Sequence, residues 1–223
     1  MGSETRGRFI TFEGAEGSGK STQARQLALW LQQGGLAVLF TREPGGTPIA
    51  DQIRHVILTP ENTAMAPQAE VLLYSAARAQ HVAERIRPAL ERGEIVVCDR
   101  FADSTLAYQG YGLGLDLEML RVVTQFATGG LSPDLTVYLD CPAEIGLARK
   151  REAARLGGEW NRLDRKPIEY HERVRQGYLE LAGADSHRWQ VIDATGAVED
   201  VQAAVRAAVA PYLETLWQHP LRP

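Results

Sequence analysis

The clearest chemistry in the chain lies between Phe12 and Thr22, FEGAEGSGKST. Gly14, Ala15, Glu16, Gly17, Ser18, Gly19, Lys20 and Ser21 fit the spacing G-x-x-x-x-G-K-[ST], and Thr22 follows directly. Glycines let successive backbone N–H groups converge on phosphate oxygens. The N-terminus of a following helix adds partial positive charge. At this spacing Lys20 can reach the β- and γ-phosphates of ATP, and the Ser21 hydroxyl can bind Mg²⁺. Glu16 runs against that purpose. A carboxylate aimed at the phosphates would repel them by roughly several kcal/mol at low effective dielectric. Its side chain must therefore point away from the ring of N–H groups.

A phosphate loop serves kinases, GTPases, motors and transport ATPases alike. A GTPase would carry N-K-x-D to read its base, but the two asparagines, Asn62 and Asn161, stand in NTA and NRLD. Asp99 ends the run EIVVCD, where a strand-terminal carboxylate can hold a metal through water. His81 and His171, in HVAER and HERVR, have no zinc-site spacing and read as surface or satisfied core side chains. Cys98 and Cys141 end strand-like runs and read as buried, unpaired thiols, which fits a reducing, cytoplasmic setting.

These groups need a scaffold. Five runs rich in Val, Ile, Leu, Phe and Tyr read as strands buried on both faces: RFITFEG, LAVLFTRE, EIVVCDR, LTVYLDC and WQVIDA. Helical segments separate them. STQARQLALWLQQ stops at Gly34-Gly35, and the stretch from Pro67 to Gly93 is long, with Pro88 expected to kink it. DLEMLRVVTQFATGG, PAEIGLARKREAAR, PIEYHERVRQGYLELA and VEDVQAAVRAAVAPYLETLW complete the set. The alternation predicts an α/β domain with a five-stranded parallel sheet and helices on both faces. One compositional feature stands out: six basic residues lie between Arg149 and Arg165, with a Gly157-Gly158 break.

The bulk properties narrow the classes further. The 223 residues suit one domain, 1–223, with a short disordered tail over 1–7. A net charge of -4 gives no reason to expect nucleic acid as a partner. No apolar run reaches membrane-spanning length, and MGSETRGR lacks the apolar stretch of a secretory signal.

FEGAEGSGKST, TREPGG, Asp99-Arg100-Phe101 with AYQG, and NRLD follow one another in that order, and together they resemble bacterial thymidylate kinases. The resemblance runs from about Arg8 to the end. It implies a P-loop NTPase fold, a homodimer, and transfer of the γ-phosphoryl of ATP to dTMP, with Mg²⁺. It implies that Arg100 and Arg54 clamp the acceptor phosphate, with Glu43 nearby. Tyr74 stands where the family usually has Phe against the thymine ring, and Arg78, four residues on, contacts the base. Thr105 and Gln109 line the base pocket. Tyr108 lies against the C2′ edge of the sugar and selects deoxyribose. Glu16 faces the 3′-hydroxyl of dTMP.

The resemblance also implies a mobile lid over about 149–166. Family members place the transition-state cation either in the phosphate loop or in this lid. Here the loop carries no base, so the lid supplies it, with Arg151, Arg155 and Arg162 as catalytic candidates beside Lys20 and Arg100. Arg149 approaches the adenine or the α-phosphate, and the Asp193-Ala194-Thr195 loop contacts adenine, with Ala194 through its backbone. Two rival readings differ in the acceptor. A deoxynucleoside kinase would not need Arg54 together with Arg100, and a nucleotide-dependent switch ATPase would not need the Tyr74/Arg78 pocket.

Overall fold

A computed structural model of the chain describes residues 6–217, with side chains described through Leu213. Five strands form one parallel sheet in the order β2-β3-β1-β4-β5. They are β1 (Phe9–Glu13), β2 (Val38–Arg42), β3 (Ile95–Asp99), β4 (Leu135–Asp140) and β5 (Trp189–Asp193). Every residue of β1 and β3 is buried, as their unbroken apolar character requires for central strands. Because β1 lies between β3 and β4, the chain winds outward in both directions from it. Ligand sites in such sheets lie beyond the strand C-termini at this switch point.

The period of two along β1 divides the core. Ile10 and Phe12 point to one face, against Leu27 and Leu31 of α1 (Lys20–Gln33) and Val205, Val209 and Leu213 of α9 (Val198–Trp217). Phe9 points to the other face, against Val82, Ile86 and Phe101. A second cluster on that side is aromatic: Tyr108, Tyr138, Tyr170, Tyr178 and Trp189. Each fully buried apolar side chain of this size contributes about 1.5–3 kcal/mol. The structure thus confirms the five strands and the two-faced helical cover.

The remaining helices are α2 (Pro48–Leu58), α3 (Pro67–His81), α4 (Arg87–Glu91), α5 (Ala102–Thr105), α6 (Leu117–Thr128), α7 (Ala143–Arg155) and α8 (Ile168–Ala184). The predicted kink at Pro88 takes the form of a π-helical turn over Val82–Ile86. Proline has no N–H to donate, so the preceding turn widens to absorb the defect. Helix α2 and the α5 segment with its π-helical continuation, Leu106–Gly112, were not among the helices expected from sequence. A signal for α2 was present: Thr47 caps it by accepting from the Ala50 N–H at 3.3 Å, with Pro48 in the first turn. The expected tail also needs correction. Residues 1–5 lie outside the described residues, but Gly7 is buried and its N–H donates to the Leu90 carbonyl at 2.9 Å. Among the described residues no helix is long and apolar enough to cross a membrane.

Candidate active site

The phosphate loop joins β1 to α1, as its motif requires. Gly19 takes a left-handed conformation, φ 88°, directly before the first helical residue. Gly17, φ 69°, packs so closely on α7 that an added Cβ would stand 1.9 Å from the Gly146 carbonyl oxygen. Only glycine meets both demands there. Lys20 folds back over the loop, donating to the Ala15 carbonyl at 2.7 Å and to Ser18 Oγ at 3.3 Å. Burial, with Arg100 nearby, lowers its pKa to about 8.

Sheet register places the acidic partner. Asp99 pairs with Phe12 of β1 and Arg42 of β2, which sets its carboxylate beside the start of α1. Ser21 Oγ donates to Asp99 Oδ2, while Asp99 Oδ1 is buried without a hydrogen-bond partner. A hydroxyl paired with a carboxylate that keeps one oxygen free is a donor set that fits Mg²⁺ on a triphosphate. No group of three or more His, Cys, Asp or Glu forms a metal cluster among the described residues, so such an ion would draw its other ligands from phosphate and water.

Glu16 turns out of the loop, as its charge demands. Its Oε1 accepts from Arg100 Nη2 at 2.7 Å and from the Tyr108 hydroxyl at 2.9 Å. Arg100 Nη2 also donates to that hydroxyl at 2.9 Å, closing a triangle. Burial alone would raise the Glu16 pKa, but Arg100, Lys20, Lys150 and the Tyr108 hydrogen bond outweigh it and hold the pKa down at about 2. Arg100 itself adopts φ 71°, a left-handed conformation for a non-glycine residue. Its N–H is held by the Phe12 carbonyl at 2.9 Å and its Nη1 reaches Gly14 O at 3.2 Å. Such strain persists only where surroundings over-determine it.

One cavity of about 620 Å³ joins the loop to these groups. Gly17, Gly19, Lys20, Ser21 and Thr22 wall one part; Tyr74, Arg100, Thr105, Tyr108 and Gln109 wall another. Glu43, Arg54, Asp99 and Arg149 also line it. Arg54 extends from α2 and donates to Pro44 O at 3.1 Å. Gln109 is fixed by donation to Glu70 Oε1 at 2.7 Å. Arg78 stands behind the wall rather than in it. It is 2% exposed and donates to Glu43 at 2.7 Å, Thr105 at 3.0 Å and the Phe101 carbonyl at 3.1 Å. Glu43, in the bend after β2, is buried between Arg78 and His81, whose ring also meets Thr41 at 2.7 Å. His81 is thus a satisfied core histidine.

The thymidylate kinase family model matches residues 12–205. The thymidylate kinase of Roseiflexus sp. (strain RS-1) is 57% identical over 216 residues, covering 93% of this chain and 96% of that protein. The thymidylate kinase of Herpetosiphon aurantiacus is 54% identical over 229 residues, covering 93% and 97%. The crystal structure of thymidylate kinase from Ehrlichia chaffeensis aligns with TM-score 0.73 at 32% identity, covering 92% of this chain and 99% of that one. The chain belongs to the thymidylate kinase family.

Against the arrangement expected of a thymidylate kinase lid, α7 and the loop after it hold surprises. Arg149 donates to the carbonyls of Ala194 at 2.7 Å and Thr195 at 2.9 Å, joining α7 to the loop after β5. The other three arginines are not in the cavity wall. Arg151 and Arg155 are exposed, and Arg155 pairs with Glu152 on the solvent side. Arg162 is buried on Glu70 at 2.5 Å, with its Nε on the Ile57 carbonyl at 3.3 Å. All three candidates for the transferred phosphoryl thus stand outside the cavity wall in this structure. Helical phase explains it for two of them. Gly146 touches the phosphate loop, so residues 149, 150 and 153 share its face, and 151 and 155 look away. Arg162 is instead consumed by a buried carboxylate that needs a counter-charge.

The same phase exposes a cation the sequence reading passed over. Lys150 lines the cavity beside Glu16 and Lys20, held loosely by Asp164 at 3.7 Å. Glu159 is another missed residue, reaching the cavity from the loop after α7. The close approach of Gly146 could not be read from sequence, and without it the face of α7 could not be chosen.

Proposed function

We infer that this chain transfers the γ-phosphoryl of ATP to dTMP, giving dTDP for nucleotide biosynthesis. The observation that carries the reading is the single cavity with a phosphate loop in one wall and the Glu16–Arg100–Tyr108 triangle in another. Phosphoryl transfer is mostly positioning and electrostatic stabilisation. The loop N–H groups and Lys20 take the donor phosphates, Lys20 leaving Ala15 and Ser18 to do so. Ser21 and Asp99 would hold Mg²⁺, which neutralises charge on the phosphates when bound. Arg149 and the Ala194 backbone take the adenine side. Arg100 and Arg54 take the acceptor phosphate. Tyr74 packs on the thymine, with Thr105 and Gln109 at its edge. Arg78 positions Thr105 and Glu43 from behind. Tyr108 closes the space at C2′, and Glu16 accepts from the 3′-hydroxyl. Lys150, on the cavity face of α7, is the cation that meets the transferred phosphoryl.

Apolar side chains left exposed on the neighbouring helices α3 and α6 support a homodimer. They are Leu72, Met119, Val122 and Phe126, the last 89% exposed. The free, buried thiols of Cys98 and Cys141 support a cytoplasmic setting.

A coupled assay of ATP with dTMP, dUMP, UMP and thymidine tests the reading. Turnover should be fastest with dTMP and lowest with UMP and thymidine. Preference for thymidine, or ATP hydrolysis indifferent to any acceptor, would overturn it.

A further inference from the structure

Arg54 is already engaged by an anion. Its Nη2 donates to Glu159 Oε2 at 2.9 Å and Oε1 at 3.3 Å. The same guanidinium donors are those an arginine offers to phosphate oxygens. Glu159 lies in the loop between α7 and the short 3₁₀ turn Leu163–Arg165. The C-terminal end of that segment is pinned independently. Asp164 accepts from the Asn161 N–H at 2.7 Å, and Arg162 is buried on Glu70. Glu159 has only a long contact inside its own loop, from Asn161 Nδ2 at 3.5 Å, and its side chain is half exposed. Arg54 is therefore the partner that ties residues 156–160 down to α2.

We propose that Glu159 is a substrate-mimicking latch, whose carboxylate holds Arg54 until the phosphate of the acceptor displaces it and frees the loop. This rests on the reading that Arg54 meets the acceptor phosphate. Two consequences follow from competition for one cation. An acceptor that carries a phosphate binds more weakly than its contacts alone would allow. A nucleoside without phosphate does not compete and leaves the latch in place, so the loop responds to the group that must receive the phosphoryl.

Glu159→Gln keeps the shape and removes the charge. Titration calorimetry should show dTMP binding two- to fivefold tighter, roughly what a partly exposed ion pair is worth. Thymidine affinity should not change. In steady state KM for dTMP should fall while kcat moves less. In an Arg54→Ala background dTMP binding should be weaker, and the added Glu159→Gln should give no further gain. If Arg54→Ala weakens dTMP but Glu159→Gln leaves it unchanged or weaker, or tightens thymidine equally, the latch is overturned alone. If Arg54→Ala leaves dTMP affinity intact, the acceptor clamp is overturned and the latch with it.

Discussion

The phosphate loop and the proposed acceptor clamp would meet the same kind of ligand with different materials. The loop offers backbone N–H groups from one short stretch, and its cation, Lys20, rests on the neutral oxygens of Ala15 and Ser18. The clamp offers guanidinium groups from α2 and the end of β3, and each rests on a carboxylate, Arg54 on Glu159 and Arg100 on Glu16. Peptide dipoles need no counter-ion when the ligand is absent. Lys20 has the charges of Glu16, Asp99 and Glu13 near it without an ion pair, whereas each guanidinium is held directly by its own carboxylate. On the proposed assignment, donor phosphates would replace weak neutral contacts, while the acceptor would enter a site whose charges are already paired. The donor would thus meet the loop without displacing an ion pair. Acceptor affinity would be set by a contest.

The sharpest way to break this contrast is Lys20→Ala. Loss of a preorganised cation at the transferring group should lower kcat/KM by about a hundred- to a thousandfold. dTMP affinity, measured by calorimetry, should stay within about twofold. An equal loss of dTMP binding would mean the two walls are one site. Lys150→Ala comes next, with kcat falling roughly a hundredfold at nearly constant KM for dTMP, and Lys150→Arg recovering most of it. A small effect on kcat would return the transition-state cation to the lid arginines.

Glu16→Ala sharpens the comparison from inside the loop. If its carboxylate serves the acceptor, dTMP binding should weaken by about 10- to 150-fold, the worth of a hydrogen bond to a charged group. ATP binding should hardly change. With 3′-deoxy-dTMP, wild type and variant should bind much more alike. Damage to ATP binding above all would assign Glu16 to the loop's own structure.

Glu13 and Glu16 lie three residues apart and titrate in opposite senses. Burial, with Asp103 nearby, raises the Glu13 pKa to about 7 from an ordinary 4.5. The native state then keeps a proton that the unfolded chain has lost. Its contribution is fully present below pH 4.5 and is lost as pH rises to about 7. Glu16, held at about 2, contributes above pH 4.5 and loses that contribution as pH falls towards 2. Urea melts across this range should show Glu13→Gln removing a downward slope of at most about 1.4 kcal/mol per pH unit between the two Glu13 values. A slope unchanged by the variant would refute the assignment. The smallest effects belong to Arg151→Ala and Arg155→Ala, which face solvent and should leave kcat within about twofold. A large loss at either would show that α7 turns during the reaction.

Much of the fold was legible because strand and helix signals are local. The runs around β1, β3 and β4 are too apolar for anything but central strands, and Gly129 stops α6 where a left-handed residue is needed. Helix α2 was missed although Thr47-Pro48 announces it, and the α5 segment because its π-helical continuation follows no simple period. In the candidate site, the side chains on strand ends and the loop, Lys20, Ser21, Asp99 and Arg100, fell where their motifs imply. Which side chains of α7 and its following loop reach the cavity, Lys150 and Glu159 rather than Arg151, Arg155 or Arg162, was not legible, because it depends on how α7 is rotated and on which buried charge lies opposite.

The phosphate loop is written in a local stretch of residues. Glycine positions between a strand and a helix dictate where consecutive N–H groups point, and that geometry closes within one short stretch of chain. The same stretch requires that Glu16 face away, since repulsion from phosphate leaves no other choice. Which anion each cation meets is a matter of packing: Glu43 on Arg78, Glu70 on Arg162, Glu159 on Arg54. Pairing of buried charges depends on distances between elements far apart in the chain. No local periodicity encodes those distances, and packing of the sheet and its helices sets them.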